Sequence, residues 1–115
     1  MPENFKHAIE GIAWSFRNHR NFRIFTAVSL FVFVLAGFLR VSSFEFIILV
    51  FTITLGFVAE MLNTAIEEVT NLVTIKWAKQ AKIAKDVAAG MVLLTAVGAG
   101  IVGSIVFIPY LRALW

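Results

Sequence analysis

Apolar and polar positions fall in long blocks along this chain. Residues 24–39, 46–59 and 87–108 hold no charged side chain, giving runs of 16, 14 and 22 residues. About 20 apolar residues are needed for a helix to cross a bilayer, so only the third run is long enough alone. The first extends back through Phe22, with Arg23 and Arg40 placed to snorkel at its ends. The second spans only if its helix continues through Glu60 into residues 61–73. Ahead of these blocks, Phe5, Ala8, Ile9, Ile12, Ala13 and Phe16 recur at helical spacing, with Lys6, Glu10 and Arg17 elsewhere around the turn. That pattern predicts an amphipathic helix lying in the membrane interface, as an anchor or as part of a lipid-access surface. The expected architecture is an all-α integral membrane protein. An interfacial helix over residues 1–21 precedes transmembrane helices over 22–40, 46–73 (with a cytoplasmic extension) and 85–108. In the third span Ala96, Gly100 and Ser104, and likewise Ala99 and Gly103, repeat every four residues. Such rows let helices approach closely, and three spans make a thin bundle, so a homo-oligomer is expected.

Composition strengthens the membrane reading. Of 115 residues 60% are hydrophobic and 15% charged, with a mean hydropathy of +0.89. A soluble domain of this length has too little interior for that much apolar surface. With no cysteine, disulfides and Cys-based zinc sites are excluded. The two prolines, Pro2 and Pro109, sit near the ends and leave the interior free for long helices. The first 23 residues are polar and amphipathic, without an A-x-A-like site after a short apolar core, so no cleaved signal peptide is expected. The ten cationic residues fall four before the first span (Lys6, Arg17, Arg20, Arg23), one after it (Arg40), four before the third (Lys76, Lys79, Lys82, Lys85) and one at the end (Arg112). By the positive-inside rule the N-terminus and residues 74–86 are cytoplasmic and the C-terminus is outside.

The densest polar signal runs from Glu60 to Asn71. At 100° per residue, Glu60, Thr64, Glu67 and Asn71 fall within about 40° of one line, with Asn63 about 60° to one side. Glu60 and Glu67 are then stacked about 10 Å apart along one helix face. Ionisable groups at membrane depth are costly and usually face a bundle interior or a watery cavity. The plain reading is a helix leaving the membrane with its polar face wetted, and Glu68, turned about 100° from Glu67, fits it. Glu60, Asn63 and Glu67 fit a richer one. A carboxylate to take a proton, an amide beside it and a second carboxylate for a divalent ion are the parts that activate an alcohol next to a metal-bound phosphate.

Beyond a short connection come Lys76, Lys79, Lys82, Lys85 and Asp86. Topology and attraction to anionic lipid account for Lys76, Lys79 and Lys82. Lys85 and Asp86 open the third span directly, where a lysine can meet a phosphate near the depth of Glu67. Trp77 suits either an interfacial belt or a stacking surface for a base. There is no G-x-x-x-x-G-K-[ST] or G-x-G-x-x-G run, so a nucleotide site must be built from helix ends and side chains.

Glu60-x-x-Asn63-Thr64-Ala-Ile-Glu67, followed by Ala81-Lys-Ile-Ala-Lys85-Asp86-Val-Ala-Ala-Gly90, resembles the signature of the prokaryotic diacylglycerol kinase family. The Leu-Val-Thr run at 72–74 and the uninterrupted AKIAKDVAAG look most like its undecaprenol kinase branch. Phe5-Lys-His-Ala-x-x-Gly11 and the run from Asn21 resemble the family too, so the likeness covers nearly the whole chain. The resemblance implies a homotrimeric, multi-pass lipid kinase of the bacterial cell membrane. Such an enzyme transfers the γ-phosphate of Mg-ATP to a lipid hydroxyl, and no nucleic acid partner is expected. It casts Glu60 as general base with Asn63 beside it, and Glu67 as ligand of the catalytic ion near the nucleotide. Lys85 is cast as the contact to ATP phosphates and Asp86 as its nucleotide-binding partner, with Trp77 beside the nucleotide base and His7 at a nucleotide-contacting position.

Two departures stand out. His19 occupies a position where the family often has a glutamate serving as a second metal ligand. Imidazole suits Mn²⁺ better than Mg²⁺, which prefers oxygen. Asn71 stands where an aspartate is common. The expected reaction is ATP-dependent phosphorylation of a lipid alcohol, undecaprenol ahead of diacylglycerol. The rivals are a catalytically weakened or silent scaffold of the same family and a small multidrug exporter. Exporters typically have four spans with an acid in the first, and the first span here has none.

Overall fold

The computed structural model describes residues 2–73 and 78–115, and Trp77 lies outside them. The described residues form helices α1 (Pro2–Asn18), α2 (Arg20–Leu39), α3 (Ser43–Val73) and α4 (Lys79–Ala113). The last three are each long and apolar enough to cross a membrane. α3 runs unbroken for 31 residues, past Glu60 and the polar stripe. α4 continues through Pro109 to Ala113. Pro109 lacks the donor for one helical hydrogen bond, yet this close to the end the remaining turn survives. The third span, expected over 85–108, thus carries its helix past Pro109. Pro2 opens α1, where a missing N–H costs nothing.

The joints explain the element boundaries. His19 adopts extended backbone between α1 and α2. Arg23 Nη1 donates to the carbonyls of Phe16 (3.0 Å) and Arg17 (2.9 Å), closing the free end of α1. The backbone of Arg40 ends the next helix. It takes the left-handed conformation (φ 55°) that ends α2, its N–H donating to the Gly37 carbonyl while that of Val41 reaches back to Ala36. That is a Schellman motif with arginine in the usual glycine place. One residue on, Ser42 Oγ accepts from the Glu45 N–H (3.1 Å) and the Glu45 carboxylate accepts from the Ser42 N–H (2.9 Å). This reciprocal capping box starts α3. The Tyr110 hydroxyl donates to the same Glu45 carboxylate, so α4 is tied to the turn.

α3 packs against both α2 and α4. At the α2–α3 turn, Ala36, Leu49, Val106 and Phe107 form a buried cluster, with Val41 and Leu39 packed against it. Nearer the polar stripe Phe57 meets Phe22 and Phe25 (ring centroids 5.3 and 4.7 Å). Gly56 admits the Phe25 ring so closely that a Cβ there would overlap it. The body measures 55 × 37 × 21 Å. Its accessible surface is 8660 Å², against about 6,300 Å² for a compact soluble monomer of this mass. Much of the excess is apolar: Phe31, Val34, Phe38 and Leu94 are all well exposed. Such a surface fits a chain whose solvent is lipid, as a membrane protein requires.

Candidate active site

Four residues from α3 and four from the α1–α2 joint enclose a polar cavity of about 180 Å³: Glu60, Asn63, Thr64 and Glu67 on one side, Asn18, His19, Arg20 and Asn21 on the other. The α3 set is what helical spacing brings to one face. Thr64 is buried, while Glu60, Asn63 and Glu67 are half-buried and Glu68 is exposed. The opposite wall depends on the joint. Extended backbone at His19 turns Asn18–Asn21 toward α3, and Arg23 holds the two helix ends together. Buried Phe22 anchors the wall from below, stacked edge-on against Phe16 at 6.4 Å and packed on Phe57. The His19 ring leans on Trp14, 5.4 Å between centroids.

Glu60, Asn63, Glu67 and His19 therefore share one cavity. Lys85 and Asp86 do not line it. Lys85 reaches α3 beyond Glu67 instead, its Nζ donating to Asn71 Oδ1 at 2.9 Å. Asp86 is paired with Lys82 at 2.6 Å, one turn back on α4. His7 is exposed on α1, 3.5 Å from Glu10, and is absent from the cavity wall. Sequence reasoning passed over Asn18, Arg20 and Asn21 as wall residues. Their signal was the unbroken polar run 18–21 just ahead of an apolar block.

Among the described residues no three His, Asp or Glu side chains stand close enough to cage a metal ion, and none of the ion pairs engages Glu60 or Glu67. That donor set still suits a divalent ion of the kind held by one or two carboxylates and completed by substrate phosphates and water. Glu67 offers the hard oxygen and His19 a nitrogen facing the same space. The cavity can therefore do proton-transfer and phosphate chemistry at the edge of the apolar region.

A sequence model of the prokaryotic diacylglycerol kinase family matches residues 6–107. A protein of Synechocystis sp. named diacylglycerol kinase is 40% identical over 112 residues, covering 96% of this chain and 64% of its own length. One of Bacillus subtilis named undecaprenol kinase is 38% identical over 109 residues, covering 95% of this chain and 89% of its own. The chain thus spans less than two thirds of the Synechocystis protein and most of the Bacillus one. With the match running through α1 to α4 and across both walls of the cavity, the chain belongs to the prokaryotic diacylglycerol kinase family.

Proposed function

We propose that this chain phosphorylates a membrane lipid alcohol with ATP as donor, undecaprenol ahead of diacylglycerol. The observation that carries the reading is the cavity itself: two carboxylates and an amide of α3 facing a polar wall at the end of membrane-spanning helices. The lipid enters sideways from the bilayer and the nucleotide from water. Glu60 accepts the hydroxyl proton as that oxygen bonds to the γ-phosphorus; the bond from the γ-phosphorus to the bridging oxygen breaks, and ADP departs. Asn63, a turn away on α3, orients the hydroxyl. Glu67, with His19 across the cavity, holds Mg²⁺ or Mn²⁺, which when bound neutralises phosphate charge. Lys85 adds a cation from α4, Asp86 and Trp77 contribute to the nucleotide side, and His7 lies farther out on α1.

Undecaprenol is favoured because the match takes in 89% of the Bacillus relative named for it, against 64% of the Synechocystis relative, which keeps diacylglycerol as the second candidate. The charge alternation supports a cytoplasmic N-terminus in a bacterial cell membrane. Exposed Phe5, Ile9, Ile12 and Phe16 support α1 as an interfacial helix, and membership of the family supports a homotrimer. His19 in the cavity wall is the observation behind a second reading, a catalytically weakened or silent scaffold. Purified protein given ATP and either lipid, with Mg²⁺ or Mn²⁺, separates the two. A phosphorylated lipid is expected, and the better substrate names the branch. A folded oligomer that forms no product with either lipid or metal would leave the scaffold.

A further inference from the structure

We propose that Asn71 is a positioning residue, steering the Lys85 ammonium toward the nucleotide without neutralising it. The inference rests on the kinase reading above, and it comes from how charge is divided at the start of α4. Lys85 and Asp86 are neighbours in sequence, yet they do not pair. Asp86 is taken by Lys82 at 2.6 Å, one helical turn back. Lys85 is drawn the other way, across to α3, where its Nζ donates to Asn71 Oδ1 at 2.9 Å. An ammonium can only donate, so the amide must present its oxygen there.

Asn71 sits one turn beyond Glu67 on the same line of α3. A lysine tethered to it is held beside the acidic stripe while its flexible stem loses freedom before the nucleotide arrives. The choice of an amide matters. A neutral acceptor fixes direction and occupies one of three donors, leaving the full positive charge and two donors for phosphate oxygens. The aspartate common at this position would pair with Lys85 and set a negative charge beside the polyphosphate, so the amide leaves the cation of this chain freer. One added negative charge beside the phosphates is expected to weaken nucleotide affinity about tenfold.

The test compares Asn71→Asp, Asn71→Ala and Asn71→Gln in the full-length protein, each also combined with Lys85→Ala. Affinity for a non-hydrolysable ATP analogue is read by equilibrium dialysis, and KM and kcat are read for ATP. Asn71→Asp is expected to weaken nucleotide affinity about tenfold with kcat changed less than about twofold. Asn71→Ala should cost about threefold in affinity, and Asn71→Gln should recover part of it. In the Lys85→Ala background Asn71→Ala should not weaken affinity further, because the partner is gone, whereas Asn71→Asp should keep only the part that comes from its own repulsion of the phosphates. A merely structural role would move the melting temperature and persist without Lys85. The proposal is overturned if Asn71→Asp binds the analogue within about twofold of the parent, or if Asn71→Ala costs as much without Lys85 as with it. A parent that binds the analogue and phosphorylates neither lipid sinks the kinase reading, and the affinity series still decides Asn71.

Discussion

At the turn between α2 and α3, Ser42, Glu45 and Tyr110 satisfy one another and the backbone. At the other end of α3, Glu60 and Glu67 face a cavity, and among the described residues no ion pair engages them. Both regions are polar and both sit at the edge of an apolar block. One uses its polar groups to start a helix and tie a third to it; the other keeps them facing a space. The contrast extends to the helix starts. α3 opens with a reciprocal side-chain cap, whereas α2 and α4 begin at His19 and Ala78 with no side-chain cap. A closed polar cluster stabilises a joint, and an open one is available to a ligand. Polarity alone therefore does not mark the site; the lack of a partner among the described residues does.

Substitutions at the two ends should separate chemistry from folding. The largest effect is expected from Glu60→Gln, which keeps shape and hydrogen-bonding reach but cannot take a proton. Lipid phosphorylation should fall about 10²–10⁴-fold, with melting temperature and oligomer size unchanged. A variant retaining parental turnover would remove Glu60 from the role of base. Between the ends lies Gly56, under the Phe25 ring. Gly56→Leu must push Phe25 off Phe57, and overpacking of this kind costs about 1–3 kcal/mol. A lower melting temperature is expected, with activity following stability; an unchanged melting temperature would mean that α2 and α3 separate without cost. The smallest effect belongs to the closed end. Ser42→Ala removes one half of the capping box, at about 1 kcal/mol, and should leave KM and kcat alone. If Ser42→Ala instead changed KM while Glu60→Gln only unfolded the protein, the division between the two ends would be wrong.

Some of this was legible residue by residue. The stripe Glu60, Asn63, Thr64, Glu67 lies on one cavity wall because a continuous helix must put those spacings on one face. The capping box was equally readable as Ser42-Ser43-Phe44-Glu45, a serine followed three residues later by glutamate ahead of an apolar run. The sequence reading passed it by. Arg23 and Arg40 look in sequence like residues that snorkel, since each flanks an apolar block. The side chain of Arg23 and the backbone of Arg40 also end α1 and α2. That choice depends on the loose carbonyls left by a helix break, which hydropathy does not report.

What the sequence determined by itself was the number of long apolar helices, the face of α3 that carries the acids and the likeness to a lipid kinase family. These follow from block length and from helical period, which are properties of neighbouring residues. Tertiary structure alone decided which polar residues meet across helices. Asn18–Asn21 became a cavity wall because the chain bends at His19. Lys85 went to Asn71 and Asp86 to Lys82, although sequence sets Lys85 and Asp86 side by side. Consecutive residues on a helix point about 100° apart, so adjacency in sequence separates them and only packing can assign each a partner.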